Sequence, residues 1–200
     1  MRGAAALFLV ALLAACQPTP SGTSVPASPS STSPAQGRLT TALQALVPGY
    51  TFEANVTLAG SVATRATGRW VNGAGEFVIA AQNAELTYRT VPPQAWVRDD
   101  QSGWIELDSG SPLGNPIDAL LKPTTLETVG EQGGMLNLRG TYPAAALGLS
   151  GDPVTVDLAL GADGSVVASY RTPTPAGEAV SETRMTPASN LEPVTAPTAG

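Results

Sequence analysis

The amino-acid sequence predicts a mainly β fold of the α+β class, with about eleven antiparallel strands, one helix before them and one helix inserted between the sixth and seventh strands. After residue 49, apolar and polar residues mostly alternate, which is the pattern of strands that bury one face. Turn residues such as Asn72-Gly73 separate these segments at short intervals. The spacing becomes helical in two main places, 38–47 and 116–121.

The first helix and six strands fill residues 38–107. Leu39, Leu43 and Leu46 have helical spacing, and Pro48-Gly49 ends that helix. From Tyr50 onward the apolar period is two, which predicts strands at 50–58, 63–71, 76–81, 85–91, 94–98 and 104–107. We expect these six strands to form a meander.

The second helix interrupts the strands once. Asn115 is a favoured N-cap, Pro116 suits the first helical position and Pro123 ends the helix. Strands then resume at 125–130, 135–141, 154–160, 166–171 and 179–185, with one helical turn predicted at 143–147. The segment 154–160 shows the clearest alternation in the chain.

The first sixteen residues predict an export leader. Arg2 supplies a short positive region, and the apolar run Gly3 to Ala14 is too short to span a bilayer as a helix. Leu13-Ala14-Ala15-Cys16 resembles the lipobox of bacterial lipoproteins, [LVI]-[AST]-[GA]-C, at all four positions. This resemblance implies a signal peptide at 1–15 and a lipidated Cys16 that anchors the chain by two or more acyl chains. The alternative is an ordinary cleaved signal with an incidental cysteine.

Composition excludes several classes of function. The 200-residue chain has a formal net charge of −6, no histidine and a single cysteine. It shows no basic patch, so we expect no nucleic-acid partner. Without histidine, Ser–His–Asp and Cys–His catalysis are excluded, and we expect neither an enzyme nor a metal or cofactor. Asp99-Asp100 fits a polar turn better than a metal site.

Two uncharged or weakly charged segments flank the predicted domain. Residues 17–37 are rich in Pro, Ser, Thr and Ala, so we expect a disordered tether from the lipidated Cys16 to residue 37. Residues 188–200 have a similar composition and are predicted to be a disordered tail. The folded domain is therefore predicted to span 38–187.

The order of elements resembles the LolA/LolB-like half-barrel and is similar to LppX/LprG-type lipoproteins. Three phrases carry the resemblance: PIDALLKP at 116–123, LNLRGTYPAAALGL at 136–149 and VTVDLALGADGSVVASY at 154–170. The resemblance implies a curved antiparallel half-barrel whose two helices cover the concave face. It also implies that acyl chains are held between sheet and helices, and that lipids or lipoproteins are moved between membranes.

The predicted site is an apolar cavity between sheet and helices. Two short helices offer few large side chains to cover a sheet of this size, and a dry apolar cavity favours acyl chains. The candidate cavity-lining residues are Phe52, Val56, Trp70, Phe77, Ile79, Leu86, Tyr88, Trp96, Trp104, Ile117, Leu120 and Leu121. Plain core packing is the alternative for each of them, and alternation alone leaves open which face the tryptophans occupy.

These observations predict a non-catalytic lipoprotein that binds or carries a lipid or acyl chain outside the cytoplasmic membrane. Its partners would be the membrane, through Cys16, the hydrophobic ligand and an envelope protein. We expect an anchored position on the cell membrane or outer membrane, with the domain facing the periplasm or the cell exterior. The alternative is a structural or protein-interaction lipoprotein with a fully packed core and no ligand.

Overall fold

A computed structural model describes residues 33–82, 84–99, 101–108 and 114–198. The predicted leader, Cys16 and most of the predicted tether lie outside these residues. Residues 109–113 also lie outside them; they belong to the segment 109–115, which the sequence predicts to be a loop.

The described residues form two helices, one 3₁₀ turn and eleven strands. The helices are α1 (Pro34–Leu46) and α2 (Pro116–Leu120), and the 3₁₀ turn is Ala144–Leu147. The strands are β1 (Gly49–Leu58), β2 (Ser61–Val71), β3 (Ala74–Ala81), β4 (Ala84–Val91), β5 (Gln94–Arg98), β6 (Ile105–Glu106), β7 (Thr125–Gln132), β8 (Met135–Tyr142), β9 (Val154–Gly161), β10 (Val166–Thr174) and β11 (Gly177–Pro187).

All eleven strands form one open antiparallel sheet in the order β6-β5-β4-β3-β2-β1-β11-β10-β9-β8-β7. Each half is a meander, and for the first six strands this arrangement was predicted. The pairing of β1 with β11, in which Phe52 lies opposite Met185, joins the two halves at the centre. The mainly β fold with two helices on an open sheet is therefore confirmed.

Local signals explain where the helices begin. The Ser33 side chain accepts a hydrogen bond from the backbone N–H of Gln36 at 3.2 Å, with Pro34 in the first turn. Helix α1 thus begins four residues before the predicted Arg38, and the predicted tether ends correspondingly earlier. Asn115 caps α2 as predicted, since its Oδ1 accepts from the N–H of Ile117 at 3.0 Å.

The strand register divides the sheet into two faces, because directly opposed residues in antiparallel strands point to the same side. We call the helix-covered side the inner face; one row across it is Phe52, Gly68, Phe77, Tyr88 and Val97. We call the opposite side the outer face; one row across it is Thr51, Arg69, Glu76, Arg89 and Trp96.

The main hydrophobic core lies between the inner face and the helices. Leu39, Leu43 and Leu46 of α1 are fully buried there. Both halves of the sheet contribute, as shown by the burial of Tyr50 in β1 and of Tyr142 in β8. The predicted helical spacing of α1 therefore corresponds to a real buried stripe.

Residues 188–198 follow β11 without forming a helix or strand, yet they lie against the outer face. The N–H of Ala188 donates to the carbonyl of Gly49 at 3.0 Å, and Arg89 Nη1 donates to the carbonyl of Thr195 at 3.3 Å. Val194 is buried, although it lies outside the main core. The structure thus shows contacts with the sheet for residues where the sequence predicts a disordered tail.

Candidate functional site

The structure brings most of the predicted cavity-lining residues together on the inner face. The ones buried in the main core are Phe52, Val56, Trp70, Phe77, Ile79, Ile117 and Leu120. Tyr88 and Leu121 pack against that core while remaining partly exposed. Leu86 lies opposite Ile79 in the register, so it shares the inner face and is half-buried.

Trp96 and Trp104 do not belong to this group, so their placement in the predicted cavity is corrected. Trp96 lies opposite Arg89 and Glu106, which puts it on the outer face. Trp104 contacts two guanidinium groups, with the Cζ atoms of Arg89 and Arg98 at 4.9 and 4.7 Å from the centroid of its ring. Both contacts are within the range of cation–π attraction. The strand 94–98 is short and apolar on both sides, so alternation could not assign its faces.

A ladder of aromatic rings crosses the inner face from its centre toward β4. Ring centroids are 6.5 Å apart for Tyr50 and Phe52, 5.9 Å for Phe52 and Phe77, and 5.3 Å for Phe77 and Tyr88. The last pair is stacked and the second pair meets edge to face. Tyr50 and Phe77 are buried, whereas Tyr88 is half-exposed. The ladder therefore connects the buried core with a surface-accessible edge.

The central part of the inner face is closed by hydrogen-bonded tyrosines. The Tyr50 hydroxyl donates to Asn115 Oδ1 at 2.8 Å, and the Tyr142 hydroxyl donates to the carbonyl of Leu120 at 3.0 Å. Burial, with a smaller contribution from the Asp118 charge, raises the pKa of Tyr50 well above its usual value. These bonds fix α2 and its N-cap to both halves of the sheet.

The side of the inner face toward β6 is less completely covered. Leu86, Tyr88 and Val97 are half-buried, and Ile105 on the edge strand is 57% exposed. Val97 lies opposite both Tyr88 and Ile105, so these side chains form one apolar row. This row, which we call the open row, continues the aromatic ladder outward.

The sequence-based site omitted the C-terminal half of the inner face. Leu158, Val166 and Met185 are buried in the same core as Phe52 and Phe77. The alternation in 154–160 already indicated a buried strand face. What the sequence did not reveal is that β11 pairs with β1, which places this second half directly beside the first.

A groove of about 1030 Å³ lies on the outer face beside the loop 149–153. Its walls carry charges of both signs, including Arg139, Asp157, Arg171 and Glu182. Arg139 Nε lies 2.7 Å from Asp157 Oδ1, and the bond to Asp157 raises the pKa of Arg139. The groove is therefore polar and distinct from the apolar inner face.

Within the described ranges, no three His, Cys, Asp or Glu side chains gather as a metal-binding set. In that same part of the chain, no helix combines the length and hydropathy needed to cross a membrane.

No protein-family model and no curated protein matches this sequence. Among solved structures, the MucA/MucB complex of Pseudomonas aeruginosa aligns with 76% of this chain and 93% of its own matched chain, at 10% identity and a TM-score of 0.16. A structure of MucB in complex with MucA(peri) aligns over the same fractions at 10% identity and a TM-score of 0.13. Scores this low carry no argument about the fold or function of this chain.

Proposed function

We propose that this protein is a non-catalytic, membrane-anchored binding protein whose inner face takes up a lipid or acyl chain outside the cytoplasmic membrane. The ligand chain would enter over the open row and extend along the aromatic ladder. The resemblance of the element order to half-barrel lipoproteins supports this proposal.

The observation that carries the proposal is the uneven covering of the inner face. Apolar side chains continue from buried Phe77 through half-exposed Tyr88 to exposed Ile105. Exposed apolar surface that is continuous with a core marks a binding site more often than isolated exposed residues do. An extended acyl chain would cover this row and remove it from water.

Anchoring rests on the lipobox, which places Cys16 at the end of an apolar leader. A Cys16→Ser variant should move from the membrane fraction to the soluble fraction of the cell. Retention of this variant in the membrane would contradict anchoring through Cys16.

The binding test uses the domain without its lipid anchor and a fatty acid with a fluorescent tail. We expect saturable binding by the wild type. A Val97→Asp variant should weaken binding at least tenfold, because a charge in the open row must be desolvated against the chain. The measurement is fluorescence titration, with thermal unfolding to check that the variant is folded.

The matched control is Thr87→Asp. Thr87 lies on β4 next to Tyr88 but on the outer face, opposite Arg98 and Val78. The substitution introduces the same charge one residue away from the open row but on the other side of the sheet. We therefore expect it to leave binding of the fluorescent fatty acid unchanged. Absence of probe binding by the wild type, or equal losses in both variants, would contradict the proposed site.

The second candidate is a protein-interaction lipoprotein without a lipid ligand. The filled core beneath α1 and the large, mixed-charge groove beside 149–153 favour it. In that case the wild type would bind no probe, and charge substitutions at Arg139 would weaken crosslinking to an envelope protein.

A further inference from the structure

The C-terminal segment, residues 188–198, crosses the outer face without forming a strand. It begins at β1, where the N–H of Ala188 donates to the carbonyl of Gly49 at 3.0 Å. It reaches β4, where Arg89 Nη1 donates to the carbonyl of Thr195 at 3.3 Å. These two strands are three strand spacings apart in the sheet, about 14 Å. The segment therefore passes over β2 and β3 between its two hydrogen bonds.

The far end of this segment meets a group of positive charges, Arg69, Arg89 and Arg98, which we call the arginine cluster. Arg69 and Arg89 lie on either side of Glu76 in one outer-face row, and both form an ion pair with it. The ring of Trp104 connects the third arginine to them, since it contacts the guanidinium groups of Arg89 and Arg98. Three of the ten lysines and arginines thus surround one shared carboxylate, in a chain whose net charge is −6.

The arginine cluster is short of hydrogen-bond acceptors. The Nε atoms of Arg69 and Arg89 are buried and meet no partner among the described residues. Glu106, on the neighbouring β6, accepts a hydrogen bond from Gln94 Nε2 at 3.0 Å instead. Arg89 Nη1 is bonded to a neutral acceptor, the carbonyl of Thr195. A carboxylate at that position would bind the guanidinium more strongly, because the hydrogen bond would then be charge-assisted on both sides.

The C-terminal segment also marks the space that another chain would take. Val194 is 8% exposed, whereas the residues around it, Glu192 and Thr195, are exposed. Val71, on the crossed strand β2 and in the row of Gly49, is also 8% exposed. Among the described residues, two hydrogen bonds tie the segment to the sheet, so its departure would break no strand pairing. A chain that replaces it must cover this apolar surface and bind Arg89.

We propose that the outer face between Gly49 and Arg89 is a docking site for an extended, acidic polypeptide, and that residues 188–198 occupy this site until such a partner displaces them. The partner places an apolar side chain where Val194 lies and a carboxylate where the Thr195 carbonyl lies. A polypeptide is favoured over a lipid headgroup, because the observed occupant is itself a polypeptide with a buried apolar side chain. The site is on the opposite side of the sheet from the proposed lipid site, so this inference does not rest on the proposed function.

The test measures binding of a fluorescein-labelled peptide by fluorescence anisotropy. The peptide copies residues 188–198 with the change Thr195→Glu, and the protein is the full chain with Cys16→Ser, so that no lipid anchor interferes. Val194→Asp in the protein should release its own segment, since a charge at this buried position must be desolvated. Because the site is then open in a larger fraction of molecules, we expect binding to be about tenfold tighter or more than in the parent. Val194→Ala is the second variant should Val194→Asp fail to fold.

Two comparisons test the role of the arginine cluster. Adding Arg89→Gln to Val194→Asp should abolish the gain in affinity, because the peptide carboxylate loses its guanidinium partner; Arg69→Gln is the second variant should Arg89→Gln fail to fold. The peptide with the original Thr195 should bind Val194→Asp about threefold more weakly or worse than the glutamate peptide does. The matched control is Arg65→Gln, which alters another outer-face arginine of β2, opposite Asn55 and paired with Glu53. It should leave the gain unchanged, and urea unfolding checks that each variant is folded.

Absence of peptide binding by Val194→Asp, or equal binding after Arg89→Gln is added, would overturn the docking site. Binding of phosphatidylglycerol vesicles by Val194→Asp without binding of the peptide would also overturn it, and would assign the exposed arginines to lipid headgroups. Titration with the fluorescent fatty acid should give the same affinity for Val194→Asp and its parent. Failure of the docking site and failure of the proposed lipid site are therefore seen in separate measurements.

Discussion

The two faces of the sheet are built from the same strands, yet different interactions hold them. On the inner face, Leu43 and Phe77 are almost completely buried, and the aromatic rings contact one another. On the outer face, oppositely charged side chains on neighbouring strands form ion pairs, such as Arg139–Asp157 and Arg171–Glu178, in which both partners are at least half-exposed. Because burial contributes far more than exposed ion pairs, we expect the inner face to supply most of the stability.

The outer face also contains a few buried apolar residues, which are an exception to its exposed, charged character. Val71, Trp96 and Val194 are each 8% exposed, although none of them belongs to the main core. Val71 and Trp96 are on the outer face of the sheet, and Val194 is in the segment held there by Arg89. The C-terminal segment therefore lies on the same face of the sheet as these two buried side chains.

The largest expected loss of folding stability follows the truncation of a leucine that is buried between α1 and the inner face. Leu43→Ala should lower the free energy of unfolding by about 2–5 kcal/mol, since Leu43 is fully buried and its loss leaves a cavity. Val62→Ala is the control, because Val62 is 59% exposed and should cost less than about 0.5 kcal/mol. Urea unfolding measures both. Similar losses of unfolding free energy in the two variants would contradict the conclusion that the buried core, rather than the exposed surface, supplies most of the stability.

An intermediate effect concerns the buried tyrosines of the inner face. Burial raises the pKa values of Tyr50 and Tyr142 above those of an unfolded chain. Their contribution to stability is therefore complete below about pH 10 and is lost as the pH rises further, because the unfolded state releases its protons first. Stability measured by urea unfolding should fall above that pH, and less steeply in Tyr50→Phe. An identical slope in this variant would contradict the assignment to Tyr50.

The smallest expected effect on stability comes from the Arg139–Asp157 ion pair on the outer face. A double-mutant cycle on Arg139→Ala and Asp157→Ala should give a coupling energy of about 0.2–1 kcal/mol, because both side chains are about half-exposed. The coupling should fall further at high salt. A coupling above about 2 kcal/mol would mean that the outer face contributes more than its exposure suggests.

Much of the local structure could be predicted from the sequence. The alternation, the turn at Asn72-Gly73 and the cap at Asn115 gave the order and approximate bounds of the elements. Both residues of that turn adopt positive φ, 49° at Asn72 and 84° at Gly73, which is the conformation that the pair favours. These features depend on neighbouring residues only, so they are readable without the tertiary structure.

The candidate site could be predicted only in part. Phe52, Phe77 and Ile79 lie in strands long enough for alternation to mark the buried side. Trp96 lies in a five-residue strand with apolar neighbours, and only its pairing with Arg89 assigns it to the outer face.

The sequence by itself thus determined the element order and the apolar stripes, since backbone preferences and side-chain periodicity act over a few residues. Only the tertiary structure decided that β1 pairs with β11, that Trp96 faces outward, that Trp104 contacts Arg89 and Arg98, and that residues 188–198 dock on the sheet. The β1–β11 pairing and the docked segment depend on contacts between residues far apart in the chain, whereas the face of Trp96 depends on its register with the neighbouring strand β4. Their outcome is set by which arrangement buries the most apolar surface while pairing the backbone.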